Sequence, residues 1–394
     1  AGIFQSTKYE EMPLGPPAIV ERYSKSQKEI RACEAKIKQF LKTEGKGQGN
    51  KNLSNEAKQK LANMRSELEQ IKKNAPPPPS MVHTLSEGQP VNMRIYLRGN
   101  PEKEGEVAPR RFLRILAGDN PPPFTQGSGR LELARAIASP KNPLTARVLV
   151  NRVWQHHFGR GIVGTPSNFG KLGERPTHPE LLDHLASRFI ASGWSIKALH
   201  REILLSATYR MSCDSDEHNV AVDPGNRLLG RMNRRRLDVE AWRDALLAAS
   251  GELDDRLGGP PADIGNPANK RRTLYGKISR HDLDSLLRLF DFPDPNITSG
   301  ARPVTIVPLQ QLFVLNSEFM IARARSLAAK LTSEEEDDAV RIRKAFARVF
   351  GRPASEREIQ TGLAFLRNAE KTALRPWEQY AQALLSANEF VFVD

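Results

Sequence analysis

The sequence is poor in cysteine: Cys33 and Cys213 are the only two in 394 residues. That excludes a disulfide-built scaffold. No C-x-x-C-H motif occurs, so no heme-attachment motif and no cofactor are expected in this chain. No apolar run approaches the roughly 20 residues a helix needs to cross a bilayer, so no membrane span is expected. H-E-x-x-H, G-x-S-x-G and P-loop motifs are absent, which removes the commonest zinc-protease, hydrolase and nucleotide signatures. The glycine pieces GKGQG (45–49) and GRG (159–161) follow no strand, so neither is expected to cradle phosphate. No signal peptide is visible at Ala1, which leaves a cytosolic chain, a processed one or a fragment. Acidic residues are outnumbered, 46 Asp and Glu against 59 Lys and Arg, for a net charge of +13. Such an excess attracts polyanions. The charges are interspersed, however, and no aromatic-rich basic strand accompanies them, so nucleic acid is not an expected partner.

What is present is helical pattern. Hydrophobic residues make up 39% and charged residues 27%, the balance of a soluble globular protein of two or three domains. Residues 19–42 carry an apolar seam at Ile30, Cys33, Ile37 and Phe40, and a second helix carries Leu61, Met64, Leu68 and Ile71. The Gly45–Asn52 stretch between them breaks the pattern, so residues 1–75 are expected to form a helical hairpin. Consecutive prolines then mark a stiff linker. MRIYLRG (93–99) alternates as a half-buried strand and RFLRILAG (111–118) reads as a second, giving a small β segment over 76–127. From residue 128 to 394 a multi-helix domain is expected, and the chain as a whole is mainly α.

Within that domain Asn142-Pro143 predicts a helix start. Ala146, Leu149, Val150, Val153, Trp154, His157 and Phe158 follow as one stripe. Thr177 with Glu180 and Ser355 with Glu358 fit the capping box, and Ser195 and Asp238 stand at further helix starts. RTLYGKIS (272–279) reads as a short strand.

Several polar groups are candidates for chemistry. His156 and His157 are adjacent and diverge on a helix, and the other histidines lack partner spacing, so no metal site is expected. His157 and His200 lie on apolar stripes, as satisfied core histidines do. Asp254-Asp255, Asp282 with Asp284, and Asp291 with Asp294 are paired carboxylates, the last pair in a turn-forming sequence. Arg234, Arg235 and Arg236 precede the Asp238 start. With Arg302, Arg152 and His156 they are the candidate binding residues, able to clamp an anion by paired donors or to bond with internal carboxylates such as Glu240 and Asp244. Asn151, His156, Asp238 and Glu240 are the candidate polar cleft should the chain be an enzyme.

The segments RLELARAIASPKNPLTARVLVNRVWQHHFGRGIV, FGKLGERPTHPELLDHLASRF, GWSIKALHREILLSATYRMS, DPGNRLLGRMNRRRLDVEAWRDALL and DFPDPNITSGARPVTIVPLQQLFVLNSEF resemble the PSD1 family (DUF1553), a domain of unknown function found chiefly in planctomycete bacteria. The resemblance covers about residues 128–394. Residues 1–127 are similar to the end of the domain that precedes it in such proteins, with Arg98-Gly99 at the expected strand end. The family supplies no catalytic residue. It implies an extracytoplasmic protein of the periplasm or cell envelope, a c-type cytochrome module elsewhere in the full-length protein, and an association with breakdown of sulfated or acidic polysaccharide. The expectation is a non-catalytic binding or scaffold module that meets an acidic polysaccharide or docks a cytochrome partner, with a polysaccharide-active enzyme as the alternative.

Overall fold

A computed structural model describes residues 2–44, 54–370 and 372–393. The protein is mainly α: about 51% of it is helical and its sheets are two-stranded. It divides into two compact units, Ala1–Asn142 and Pro143–Asp394.

The first unit opens with a short turn of helix, α1 (Gly2–Gln5), and strand β1 (Thr7–Leu14). Helices α2 (Pro17–Glu44) and α3 (Asn55–Asn74) follow, then β2 (Ser80–Glu87), paired antiparallel with β1 from Thr7↔Glu87 to Leu14↔Ser80. The helical hairpin is thus inserted between the two strands of one ribbon. Its seam is the expected one, with Ile30, Cys33 and Leu61 buried. Ser54 caps α3 by accepting from the Ala57 amide. The Gly45–Asn52 break lies outside the described residues. The ribbon leaves little trace in the sequence, because β1 and β2 are largely exposed and alternate only toward the end of β2.

Strands β3 (Arg94–Tyr96) and β4 (Glu104–Val107) form a second small ribbon. β3 is exposed throughout rather than half-buried. The stretch 111–118, expected to be a strand, forms instead the helical turn α4 (Arg114–Ala117), closed by Gly118 at φ 88°. Its apolar residues gain no sheet partner, and Ile115 stays 90% exposed. Helix α5 (Arg130–Ile137) closes the unit. Glu87 ties it to β2: it accepts from the Ser128 amide and pairs with Arg130 at 2.6 Å. Those donors hold its carboxyl below the ordinary range.

The second unit is built around two apolar clusters. Helices α6 (Thr145–Phe158), α7 (Pro179–Ala191) and α8 (Ile196–Leu204) form the first, with Val150, Phe158, Leu185, Phe189 and Ile203 inside. Each such side chain contributes about 1.5–3 kcal/mol by leaving water. α6 starts at Thr145, two positions after the expected proline start, and ends at Gly159 with φ 81°. α7 is not begun by a capping box: the Thr177 hydroxyl is turned to the Ile162 carbonyl at 3.3 Å. α8 is capped as expected, Ser195 accepting from the Ala198 amide.

After α9 (Glu217–Val222), strand β5 (Arg235–Arg236) leads into α10 (Val239–Ala249). Helices α11 (Ser285–Leu289), α12 (Pro308–Asn316), α13 (Glu318–Glu334), α14 (Asp338–Val349), α15 (Glu356–Arg367), α16 (Pro376–Leu385) and α17 (Asn388–Val391) follow. They enclose the second cluster, with Leu246, Met320, Leu327, Ile342 and Leu385 at its centre. The chain ends in β6 (Phe392–Val393), which pairs with β5. RTLYGKIS is not a strand. Residues 273–275 make a single 3-10 turn, held because Asp244 accepts from both the amide and the hydroxyl of Thr273 at 2.7 Å.

Arg243 and Arg323 are buried at 0% and 3% exposure. Both guanidinium groups lie over the Phe319 ring. Arg243 donates to the Arg271 and Asn269 carbonyls and to Thr273, which fixes the long loop after α10. Arg323 lies 2.8 Å from Glu252, an ion pair in contact distance without hydrogen-bond alignment.

Candidate functional site

The arginine run sits where the two clusters of the second unit meet. Pairing with β6 fixes the backbone of Arg235 and Arg236, and the Leu237 amide donates to the Val391 carbonyl at 2.8 Å. Adjacent strand residues point to opposite sides, and each arginine accordingly serves a different cluster. Arg235 donates to the His156 carbonyl at the end of α6. Asn233 donates to the Phe158 carbonyl beside it at 2.9 Å. Together they cap carbonyls that the helix end leaves unpaired. Arg236 turns the other way, donating to the Thr305 carbonyl with its guanidinium 5.6 Å from the Phe290 ring.

Arg302 meets the start of α10. It makes a two-pronged contact with Glu240, at 2.7 and 2.9 Å, and lies 3.6 Å from Asp238. The Glu240 hydrogen bonds, with help from the Asp238 charge, raise the guanidinium above its already high ordinary value. Asp238 stands at the cap position of α10 without accepting from the helix. Asp291, from the expected turn, adopts φ 61° and accepts from the Thr305 amide and hydroxyl.

Arg236, Asp238 and Arg302 therefore line one cavity of about 20 Å³, whose apolar wall is Trp242 and Phe290. A neighbouring cavity of about 50 Å³ shares Arg236, Trp242 and Phe290 and adds Gln310, Gln311, Ser386 and Asn388. Trp242 and Phe290 stack with ring centres 4.6 Å apart.

The remaining candidates do not join this cavity. Asn151 does not line a cleft: it is fully buried, and its amide donates to the Val163 carbonyl at 3.0 Å and accepts from the Val163 amide at 2.8 Å. It acts as a one-residue strand partner for the chain beyond α6. Arg152 and His156 are exposed one turn apart on α6, beside Arg235, and Arg234 is exposed as well. Of the candidates, Arg236, Asp238 and Arg302 meet at one cavity, while Asn151, Arg152 and His156 lie on α6 and Arg235 turns toward the end of that helix. Its paired Asp282 and Asp284 line a separate open depression of about 980 Å³, where Asp284 is occupied in capping α11.

His157 and His200 meet, with Nε2 and Nδ1 2.7 Å apart and the Tyr209 ring edge-on to His157. Burial foremost, then the charges of His200, Arg235 and His156, push the His157 pKa down. Among the described residues no group of three His, Cys, Asp or Glu side chains converges as a metal site would require, and no helix is long and apolar enough to cross a membrane. Sequence reasoning missed Trp242, Gln310 and Ser386 as cavity residues. An apolar pattern would report the Trp242 ring but not its indole nitrogen.

A helical body with a cationic clasp between two cores is the class of protein this geometry defines. The chain belongs to the PSD1 family of proteins of unknown function (DUF1553), whose model matches residues 129–366. No curated protein and no solved structure matches it.

Proposed function

We propose that the protein is a non-catalytic binding module of a bacterial cell-envelope protein, and that its ligand is an acidic or sulfated polysaccharide. The observation that carries this reading is the paired contact between Arg302 and Glu240. Glu240, the carboxylate at the start of α10 that an enzyme would use for acid–base work, is committed to a guanidinium, and Asp238 lies 3.6 Å from the same group. Asn151 is committed to backbone. The net charge of +13 supports a polyanionic partner. Arg152 gives α6 an exposed cationic edge, with His156 exposed one turn along it. The location outside the cytoplasm and a c-type cytochrome module as neighbour rest on the family resemblance.

Binding of dextran sulfate, followed by titration across salt concentration, tests the reading. Tight binding at low salt that weakens steeply toward 1 M salt is expected, since exposed charges are screened over about 3 Å there. Arg152→Glu with His156→Glu is expected to weaken binding about tenfold, by removing and reversing charge at one edge. Absence of binding by the unaltered protein at low salt sinks the proposal. Hydrolysis of the polysaccharide would favour the enzyme alternative.

A further inference from the structure

We infer that the cavity beneath Arg236 and Trp242 is a pocket for one anionic acceptor group, a carboxylate or sulfate ester carried on a sugar; this rests on the polysaccharide reading and names the part of the ligand that is held.

The cavity measures about 50 Å³ and lies between the end of β5, α10, α12 and the turn after α16. That is room for more than one water, which needs about 10–15 Å³ on the same measure. Its polar wall consists of Arg236, Trp242, Gln310, Gln311, Ser386 and Asn388. Every one of these side chains carries a hydrogen-bond donor, and none is a carboxylate. The neighbouring cavity, by contrast, has Asp238 and Asp291 on its wall.

Two of the donors are unspent. Trp242 is 2% exposed, and its indole Nε1 finds no hydrogen-bond partner among the described residues. The Ser386 hydroxyl is likewise buried and without a partner. Native proteins rarely leave such groups unserved, because a buried donor without an acceptor loses its water at no return. Arg236 uses one guanidinium nitrogen on the Thr305 carbonyl, and among the described residues it has no carboxylate partner. Arg236 and two residues with idle donors line a cavity without an acid on its wall, a set that calls for an acceptor with negative charge. The rest of the wall is apolar: Phe290, Val314 and Val391 line it, and Ile306, 72% exposed, belongs to it as well. A sugar ring bearing a charged group matches that combination, polar at its tip and less polar along its face.

Small probes separate the pocket from the exposed cationic edge, because a monosaccharide cannot span both. Isothermal titration with glucuronate, glucose 6-sulfate and glucose is the experiment, on the intact chain, on Ser386→Ala and on Trp242→Phe. Binding of one or both anionic sugars, without binding of glucose, is expected. Which of the two binds separates the carboxylate source from the sulfate ester. Each substitution is expected to weaken binding about tenfold, the loss of one hydrogen bond to a charged group. Ser386→Ala is expected to leave the urea midpoint unlowered, since it removes an idle hydroxyl, and so keeps the test valid should Trp242→Phe disturb packing against Phe290. Equal binding of glucose, no binding of either anion, or unchanged affinity in Ser386→Ala would overturn the inference. If neither anionic sugar binds while dextran sulfate does, the pocket falls and the surface reading stands; if the unaltered protein binds no dextran sulfate, that reading falls itself.

Discussion

Asn151 shows how a polar residue on a helix becomes structural. Its side-chain amide replaces a strand partner for Val163, and Gly161 leaves no room for a side chain beside it: an added Cβ would lie 2.6 Å from the amide nitrogen. Asn151→Ala orphans a buried N–H and a buried C=O. It is expected to lower stability by about 2–4 kcal/mol, from unsatisfied groups of about 1–3 kcal/mol each with partial relaxation. Urea denaturation followed by circular dichroism measures this, and a loss under 1 kcal/mol would contradict the role. His157 gives a second prediction. Its pKa lies below the ordinary 6.5 because burial and neighbouring positive charge disfavour the imidazolium. The unfolded chain therefore binds the proton more readily than the fold does. The stabilising contribution is fully present above about pH 6.5 and is lost as pH falls through the lowered value. His157→Gln is expected to flatten the decline in urea midpoint between pH 7.5 and pH 5. An unchanged slope would count against His157 as its source. Both residues were visible in the sequence, His157 on the apolar stripe of α6 and Asn151 as a candidate for a polar cleft. Their partners were not. Val163 is a backbone contact, which composition cannot report, and His200 lies 43 positions from His157 with no spacing that pairs them.

At the scale of elements, local signals were read well wherever the side chain had no better partner. Ser355 and Glu358 form the expected box, each bonding the other's backbone amide. Arg352 reinforces it, contacting Glu358 at 2.7 Å and Glu389, ahead of the last strand, at 2.5 Å. The guanidinium and the Ser355 donors hold the Glu358 carboxyl down at about 2. Its contribution is therefore present above the usual carboxylate range and survives until pH approaches that value. Ser355→Ala is expected to lower stability by about 1 kcal/mol, the ordinary loss of a helix cap. Arg352→Ala is expected to lower it further and to loosen α17, read as faster amide exchange across Asn388–Val391. Equal exchange in the variant and the parent would show that Glu389 needs no such anchor. Thr177 fails where Ser355 succeeds, because its hydroxyl has the Ile162 carbonyl within reach. RFLRILAG and RTLYGKIS fail for a different reason. Their apolar residues suit a strand, but among the described residues each stretch finds only a single-residue bridge, Arg111 with Pro123 and Gly276 with Ala262, and a short helical turn serves the backbone beside it.

The whole molecule is unequal in what holds its two units. The unit from Pro143 to Asp394 carries both large clusters, with Leu246, Leu247, Ala324, Leu327, Ile342 and Leu385 wholly enclosed. The unit from Ala1 to Asn142 relies on a hairpin seam around Ala57 and Leu61 and on ribbons whose large side chains face water, among them Tyr9, Met12, Leu14 and Leu85. An isolated two-stranded ribbon is marginal in water, and a helix pair with few enclosed side chains adds little to it. Stability scales with apolar surface removed from water, so the first unit has far less to lose before it opens. Two unfolding steps are therefore expected in urea. The first carries the helical signal of α2 and α3, and the second carries the tryptophan signal of Trp154, Trp194, Trp242 and Trp377, all of which lie beyond Asn142. Amide exchange is expected to be fast throughout β1 and β2 and slow in α13 and α16. A chain of residues 143–394 alone is expected to keep only the second step, at an unchanged midpoint. Coincident transitions by both probes in the full chain would instead mean that the first unit draws stability from outside its own seam.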